Sequence, residues 1–449
     1  MRVLTLVHQY LPKNVAGTEI YTRALALALA ERGHSVRLLF SEVEPGKPQG
    51  TVTRGEHEGI PYDRISCHFR FEDFETTYAN AASEAAFERL LREFRPDVVH
   101  AQHLQTLSVR MPAIAAARGV PFVMTLAEYL LLCPLWGQLI KRDLSRCEVP
   151  GAAECGRCLA GAPFFSDLLR GRDPTAAVDA RRQAVRALFN DVAVFVAPSA
   201  FLRGRFEAFG FPGEKIRVLD YGFRTEGYAR ERRRARARGE PVRFGYVGSW
   251  VPYKGVHLLP DAFLPMQPDG GFTLDLFGDP ESTPDYARPI LDRISGSSLV
   301  RFRGPFPPAN VAAILASLDV LVVPSVWYEN SPLTIHEAFL AGVPVVASRL
   351  GGMAELVEEE RSGLLFAPGD AADLRAAARR LVREDDLLDR LRAGIPEVKP
   401  IERNALEMEA VFETAIASAR RTGRSGLRRL FSFLSRAGGR GGRGGAPPA

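Results

Sequence analysis

Residues 320–348 read VLVVPSVWYENSPLTIHEAFLAGVPVVAS. The opening apolar run, 320–325, is continuous rather than alternating, which suits a parallel strand buried on both faces. Pro332 stands where a helix can begin, because the first turn does not need its missing N–H. A second apolar run, VPVVAS at 343–348, follows the predicted helix. Strand, helix and strand of this length make one unit of a doubly wound α/β sheet. At the helix start the amides of Ser331, Leu333 and Thr334 are free to face a ligand, and such starts bind anions, a diphosphate among them. Glu329 would end the strand segment and Glu337 would lie slightly over two helical turns further on. On spacing alone the two acids read equally as solvated residues of an amphipathic helix.

The same grammar extends in both directions. VRFGYVG (242–248), FTLDLFG (272–278) and LVRFRG (299–304) are strands, and helices are expected at 309–317, 332–341, 353–359 and 371–383. The first half offers RVLTLV (2–7), VRLLF (36–40), DVVHA (97–101), FVMTL (122–126) and VAVFVA (192–197). Thr18 is placed to cap a helix running to about Arg32, with Gly33 at its end. The fold class is α/β, with two Rossmann-like doubly wound domains facing a cleft at the carboxyl ends of their strands. The expected boundaries are 1–223 for the first domain, 224–241 for an Arg-rich linker, 242–400 for the second domain, 401–420 for a closing helix and 421–449 for a basic, Gly-rich tail.

Composition bounds the function. The chain has 449 residues, 46% hydrophobic and 25% charged, which excludes a disordered or fibrous protein. No run of eighteen apolar residues exists, so no spanning helix is expected. The seven arginines of residues 421–449 exceed the formal net charge of +5, which leaves the preceding 420 residues at −2. A folded nucleic-acid face would instead spread basic residues over its domain, and no nucleic-acid partner is expected.

With ENSPLTIHE at 329–337 go the Gly-Thr-Glu loop at 17–19, YVGSWVPYKG at 246–255, Gly278, AFLAGVPVVASRLGGMAEL after Glu337, and SGLLFAPGD at 362–370. Together, in this order and over roughly residues 1–400, they resemble glycosyltransferase family 4. These are retaining transferases of the GT-B fold that use nucleotide-sugar donors. The resemblance implies that Lys254 holds the donor diphosphate, Glu329 lies beside the transferring sugar and its phosphate, and Glu337 binds the ribose hydroxyls. It implies that Gly17 lets the N-terminal loop approach donor and acceptor. Ser249, Gly278, Ser331, Leu333 and Thr334 complete the donor set. Thr18, Glu19, His100, His103 and Glu128 are the acceptor-side candidates. Lys254 and Glu329 are the catalytic expectations, and no metal is expected at the reaction centre.

Two positions depart from the family pattern. Ser249 stands where an Arg is usual, with Arg224 or Arg349 as candidate replacements, and Ala127 stands where a His is usual. These departures motivate an alternative, a non-catalytic GT-B subunit that binds nucleotide or a partner. A nucleotide-sugar epimerase is the same-fold rival.

Cys133, Cys147, Cys155 and Cys158 follow the pattern C-x13-C-x7-C-x2-C within an insertion at about 130–165. Thiolates at such short spacing suit a closed structural zinc site, with disulfides, an Fe–S cluster or unrelated thiols as alternatives. A similar Cys-rich insertion occurs in a subgroup resembling exopolysaccharide glycosyltransferases. Cys67 is expected to be a free thiol. In the tail, Leu427, Leu430, Phe431 and Leu434 follow helical spacing beside Arg428 and Arg429, a pattern for an anionic membrane surface or for a solvated end. The resulting expectation is a cytoplasmic enzyme, peripheral at the inner membrane face, that glycosylates a glycan or lipid-linked acceptor for surface or exopolysaccharide synthesis.

Overall fold

The computed structural model describes residues 1–228 and 239–438, with side chains described as far as residue 421. The first half is built on eight strands: β1 Arg2–Leu6, β2 Ser35–Glu42, β3 Val52–His57, β4 Ile60–Ser66, β5 Val98–Ala101, β6 Phe122–Thr125, β7 Val192–Ala197 and β8 Ile216–Val218. Their order across the sheet is β3-β4-β2-β1-β5-β6-β7-β8, parallel except for the β3–β4 hairpin at one edge. The second half has six strands: β9 Val242–Val247, β10 Phe272–Phe277, β11 Val300–Gly304, β12 Val320–Val323, β13 Val345–Ser348 and β14 Gly363–Phe366. Their order is β11-β10-β9-β12-β13-β14, parallel throughout. In both sheets the order reverses beside the first strand of the half, the place where this architecture opens a ligand crevice.

The central strands are buried along their whole length, as their unbroken apolar runs require: β5, β6, β12 and β13 show no exposed residue. Separate cores fill the outer face of each sheet. A third apolar cluster spans both halves, from Val3 and Val123 through Tyr221 and Phe223 to Leu321, Ile335 and Ile401.

The chain passes between the halves twice, at neighbouring points. Phe223 and Pro400 form a parallel bridge. The Phe223 N–H donates to the Lys399 carbonyl, and the Ile401 N–H donates to the Phe223 carbonyl, each at 2.9 Å. Beyond this crossing the chain returns to the first half as a helix, Ile401–Gly438. Its buried residues Ile401, Ala405, Met408, Phe412 and Ala415 repeat at helical spacing. The helix packs on the first helix, Gly17–Glu31, and on β5, β6 and β7.

Two expectations are corrected, and one feature is added. The first helix begins at Gly17 with Ala16 at its N-cap and no capping side chain, so Thr18 lies inside the first turn. There the Thr18 carbonyl accepts the Thr22 hydroxyl at 2.6 Å. The closing helix runs beyond residue 420 to Gly438. The β3–β4 hairpin was not foreseen, because its exposed outer strand carries the mixed sequence VTRGEH. The Arg230–Arg238 run and residues 439–449 lie outside the described residues, as do the side chains of Leu427, Leu430, Phe431 and Leu434. Among the described residues no helix is long and apolar enough to cross a membrane.

Candidate active site

The two halves face each other across a cavity of about 410 Å³. The first half contributes residues 15–18 from the start of its first helix, together with Ala127, Glu128 and Tyr221. The second half contributes the ends of β9 and β12 and the segments that follow them, including Ser249, Lys254, Trp327 and residues 329–334. The cavity thus lies at the carboxyl ends of strands from both sheets.

Lys254 and Glu329 form its charged centre. Lys254 ends a single 3-10 turn, Pro252–Lys254, that follows β9. Its Nζ lies 2.7 Å from Glu329 Oε1 and 5.5 Å from the centroid of the Trp327 ring. Ser325 Oγ donates to the same Glu329 oxygen at 2.7 Å. Glu329 is buried, which pushes its carboxyl toward neutrality. The Lys254 charge and hydrogen bond, with the hydrogen bond from Ser325, outweigh that effect and hold it below the ordinary carboxylate value. Among the described residues that line this cavity, Lys254 carries the only basic side chain. The expected replacements for the Arg missing at Ser249 do not supply another: Arg224 is paired with Glu31 at 2.7 Å, and Arg349 is paired with Glu359.

The segment bearing Glu329 rests directly on backbone. The Gly352 N–H donates to the Glu329 carbonyl at 2.7 Å. A Cβ on Gly352 would stand 1.9 Å from the Asn330 carbonyl oxygen, so only glycine allows this approach. Asn330 Nδ2 reaches the Ala127 carbonyl at 2.7 Å, and the Ser199 hydroxyl donates to the Asn330 carbonyl at 2.7 Å. The side chain and the backbone of Asn330 thus each tie this segment to the opposite half. Ser331 Oγ donates to Asp220 at 3.0 Å and lies 2.9 Å from His336 Nε2. The helix Leu333–Leu340 then starts at the cavity wall. The Ile335 N–H donates to the Pro332 carbonyl at 3.1 Å, whereas the Leu333 and Thr334 amides have no carbonyl a turn earlier to bind, which leaves these two for an anion. Trp327 Nε1 and Asn330 Oδ1 are buried without a hydrogen-bond partner among the described residues, as polar atoms reserved for a ligand would be.

Glu337 faces a second cavity, of about 400 Å³, on the other side of Leu333, which lines both. Tyr228 donates its hydroxyl to Glu337 Oε1 at 3.2 Å. Burial pushes the Glu337 carboxyl up to about 7. Gly17 lies across from the same leucine, and a Cβ there would stand 3.3 Å from Leu333 Cδ1. Gly278 sits behind the wall, where a Cβ would meet the Gly248 carbonyl oxygen at 2.1 Å. Its place is behind the loop of Gly248 and Trp250.

On the first half, Glu128 lines the main cavity and His103 stands behind it. The Gln105 N–H donates to His103 Nδ1 at 3.0 Å, which places the ring proton on Nε2. That atom lies 3.2 Å from Glu128 Oε1, while the Leu130 amide donates to the other carboxyl oxygen. Burial pushes Glu128 up to about 8. The His8 ring packs at a tilt against His103 with centroids 4.2 Å apart, and His8 Nε2 lies 3.2 Å from Glu19 Oε1. Burial lowers His8 to about 4 and raises Glu19 to about 7. Four titratable groups are thus nested at and behind the first-half wall of the cavity. Of the remaining candidates, Thr18 lines the cavity. His100 is enclosed, with its Nε2 2.8 Å from Thr125 Oγ1 and its ring against Phe412, and it does not line the cavity. Sequence reasoning missed His8, Asp220 and Tyr228, none of which belongs to a local motif.

All four cysteines of the insertion line one small cavity of their own, and all five cysteines of the chain are free thiols. As placed, no three His, Cys, Asp or Glu side chains among the described residues are grouped closely enough to hold a metal ion.

Comparison with known proteins extends this geometry. The family model described as "Glycosyl transferase 4-like domain" matches residues 16–222, and that described as "Glycosyl transferases group 1" matches residues 241–384. The chain is 26% identical to the D-inositol 3-phosphate glycosyltransferase of Acidothermus cellulolyticus over 394 residues, 82% of this chain and 78% of that protein. It is 29% identical to the Corynebacterium glutamicum protein of the same name over 224 residues, 46% of this chain and only about half (53%) of that one. The structure of Anabaena HepE in complex with UDP and glucose superposes with a TM-score of 0.62 at 18% identity, covering 92% of this chain and 100% of that one.

Proposed function

We infer that this chain, which belongs by its two matched segments to the group 1 and 4-like glycosyltransferases of GT-B fold, transfers a sugar from a nucleotide-sugar donor to an acceptor hydroxyl with retention at the anomeric carbon. The observation that carries the reading is the Lys254–Glu329 pair beside a helix start, in a cleft walled by both halves. A diphosphate entering there meets Lys254 and the first-turn amides, and Lys254 turns from Glu329 toward it. The nucleoside extends past Leu333 toward Glu337, whose carboxyl takes the ribose hydroxyls in place of the Tyr228 hydroxyl. UDP bound to HepE, a protein of the same fold, agrees with a donor of this class.

In the reaction the bond from the anomeric carbon to the phosphate oxygen breaks, and the acceptor oxygen bonds to the same face. The acceptor proton passes to the leaving phosphate. Charge grows on the diphosphate, so preorganised donors aimed at it are the main catalytic device. Glu329 lies at the reacting end of the cleft and stabilises positive charge on the sugar. Glu128, oriented by His103, receives a hydroxyl of the acceptor or of the donor sugar. Contact between the halves through Asn330, Ala127 and Ser199 excludes water, which would otherwise hydrolyse the donor. The acceptor class we favour is a glycan or lipid-linked sugar of surface or exopolysaccharide synthesis at the cytoplasmic membrane face. The support is the arginine-rich, periodically apolar sequence of residues 427–436.

Calorimetric titration of nucleoside diphosphates and nucleotide sugars tests the reading, with wild type beside Lys254→Ala and Glu337→Ala. One base should bind selectively and be lost in both variants. Slow donor hydrolysis should disappear in Glu329→Ala. Absence of any binding by folded wild type would overturn the assignment in favour of a partner-binding subunit.

A further inference from the structure

Four of the five cysteines, drawn from three separate local structures, come together in the first half. Cys133 lies in the tight turn after β6, where its N–H donates to the Tyr129 carbonyl at 2.8 Å and its own carbonyl accepts the Gly137 N–H at 3.1 Å. Cys147 ends an arm that turns back on itself through an antiparallel Ile140–Arg146 bridge, and its N–H donates to the Leu139 carbonyl at 3.0 Å. Cys155 and Cys158 sit one turn apart on the helix Ala152–Ala160. The four side chains line one cavity whose remaining wall includes Leu135, Leu139 and Leu159. Its volume, about 20 Å³, admits roughly one water-sized occupant. Arg182 reaches Cys155 Sγ at 3.6 Å, and Lys141 stands at the rim, 2.8 Å from Glu154.

We propose that Cys133, Cys147, Cys155 and Cys158 bind one zinc ion, which draws the four thiols inward and staples the arm 139–148 to the helix 152–160. Tetrahedral coordination by four sulfurs is the arrangement of closed structural zinc sites, with zinc–sulfur distances of about 2.3 Å. Four thiolates also suit an Fe–S cluster, but a cavity with room for one small occupant favours a single ion. The thiols line the wall without yet converging, so binding requires inward movement of the sulfurs and of the loops that bear them. Each thiol releases its proton to solvent as its sulfur bonds to the metal. Two positive charges then meet four negative ones, and Arg182 and Lys141 lie where the excess negative charge falls.

The staple has a reason to be there. The arm it would hold is the part of the insertion that touches the second half. Ile140 packs with Leu258 and Val326, flanked by Tyr253 and Trp327. Glu148 accepts the Tyr328 hydroxyl and pairs with Arg205 at 2.7 Å. Trp327 and Tyr328 immediately precede Glu329. An ion at the cysteines would therefore fix a wall of the cleft from outside it, without entering the chemistry.

The test uses the full chain purified without chelator, and its readout is independent of any donor. Elemental analysis should find one zinc per chain, retained in Cys67→Ser and lost in Cys155→Ser and in Cys158→Ser. Replacement with cobalt(II) should give the thiolate charge-transfer and ligand-field bands of a tetrahedral sulfur site. Should the serine variants fail to fold, titration of wild-type thiols with a mercurial should release one zinc for every four cysteines modified. Four freely reactive thiols after addition of zinc chloride, a disulfide found by mass spectrometry, Fe–S absorbance, or full zinc retention in Cys155→Ser would each overturn the proposal.

Discussion

Replacing Lys254 by alanine should do more than remove a donor contact. Glu329 is 7% exposed and its partner 29%. Removing one member of a fully buried ion pair typically costs about 3–5 kcal/mol, because the other charge is left uncompensated. Lys254 is partly open to solvent and the Ser325 hydroxyl would remain, so about 2 kcal/mol is the reasoned loss here. For a unit the size of the second half, that is a fall of roughly 4–8 °C in its melting temperature. The pH dependence carries the sharper signature. In wild type Glu329 is held below its ordinary value, so its contribution is present above the unfolded carboxylate range and is lost as pH falls through the folded pKa. In Lys254→Ala, burial acts unopposed by the ammonium, the folded pKa rises, and stability falls as pH rises through it. Thermal melts from pH 4 to 8, monitored by calorimetry, should therefore converge for the two proteins at low pH and diverge at neutral pH. Lys254→Ala combined with Glu329→Gln should recover most of the loss, since no charge is then buried. A variant with wild-type stability at every pH, or a double variant no better than the single one, would refute the reasoning.

Tyr228→Phe removes a hydroxyl that occupies Glu337 and should tighten nucleotide binding about five-fold, the equivalent of one ordinary hydrogen bond of about 1 kcal/mol; calorimetry reads it directly. Glu128→Gln should leave nucleoside diphosphate affinity unchanged while lowering transfer. Because burial lifts Glu128 to about 8, wild-type stability falls as pH climbs from the ordinary carboxylate range through that value, and melts of the variant should lack this component. Gly352→Ala places a methyl group against the Asn330 carbonyl and should cost about 1–3 kcal/mol, with loss of donor binding in the folded fraction; chemical denaturation and calorimetry together check it.

The sequence showed its sheets clearly because parallel strands covered on both faces must be apolar without interruption, as VLVV at 320–323 and VAVFVA at 192–197 are. The second-half wall of the cavity was legible for a related reason: a strand end, a turn and a helix start are contiguous, so Glu329, Ser331, Leu333 and Thr334 arrive together. Lys254 is 75 positions from Glu329, and only the family resemblance joined them. The first-half wall had no such signal. His8, His103, Glu19 and Glu128 come from four different segments, and their grouping is a product of tertiary packing. His100 looked equally available, yet the covering helix 401–438 places Phe412 against it. Thr18 was read as a cap because threonine suits that role, but the helix starts one residue earlier, where a residue with no side chain can lie against Leu333.

The paired crossing at Phe223 and Pro400 sets the mechanics of the whole molecule. Two chain segments bound side by side act as the twin pins of a hinge, so one half can swing on the other far more easily than it can slide or twist. The contacts of Asn330 with Ala127 and of Glu148 with Tyr328 lie away from this crossing and are the ones such a rotation would part. Entry to the cleft and exit from it become one angular motion, with its axis beside the second cavity that Phe223 helps to line.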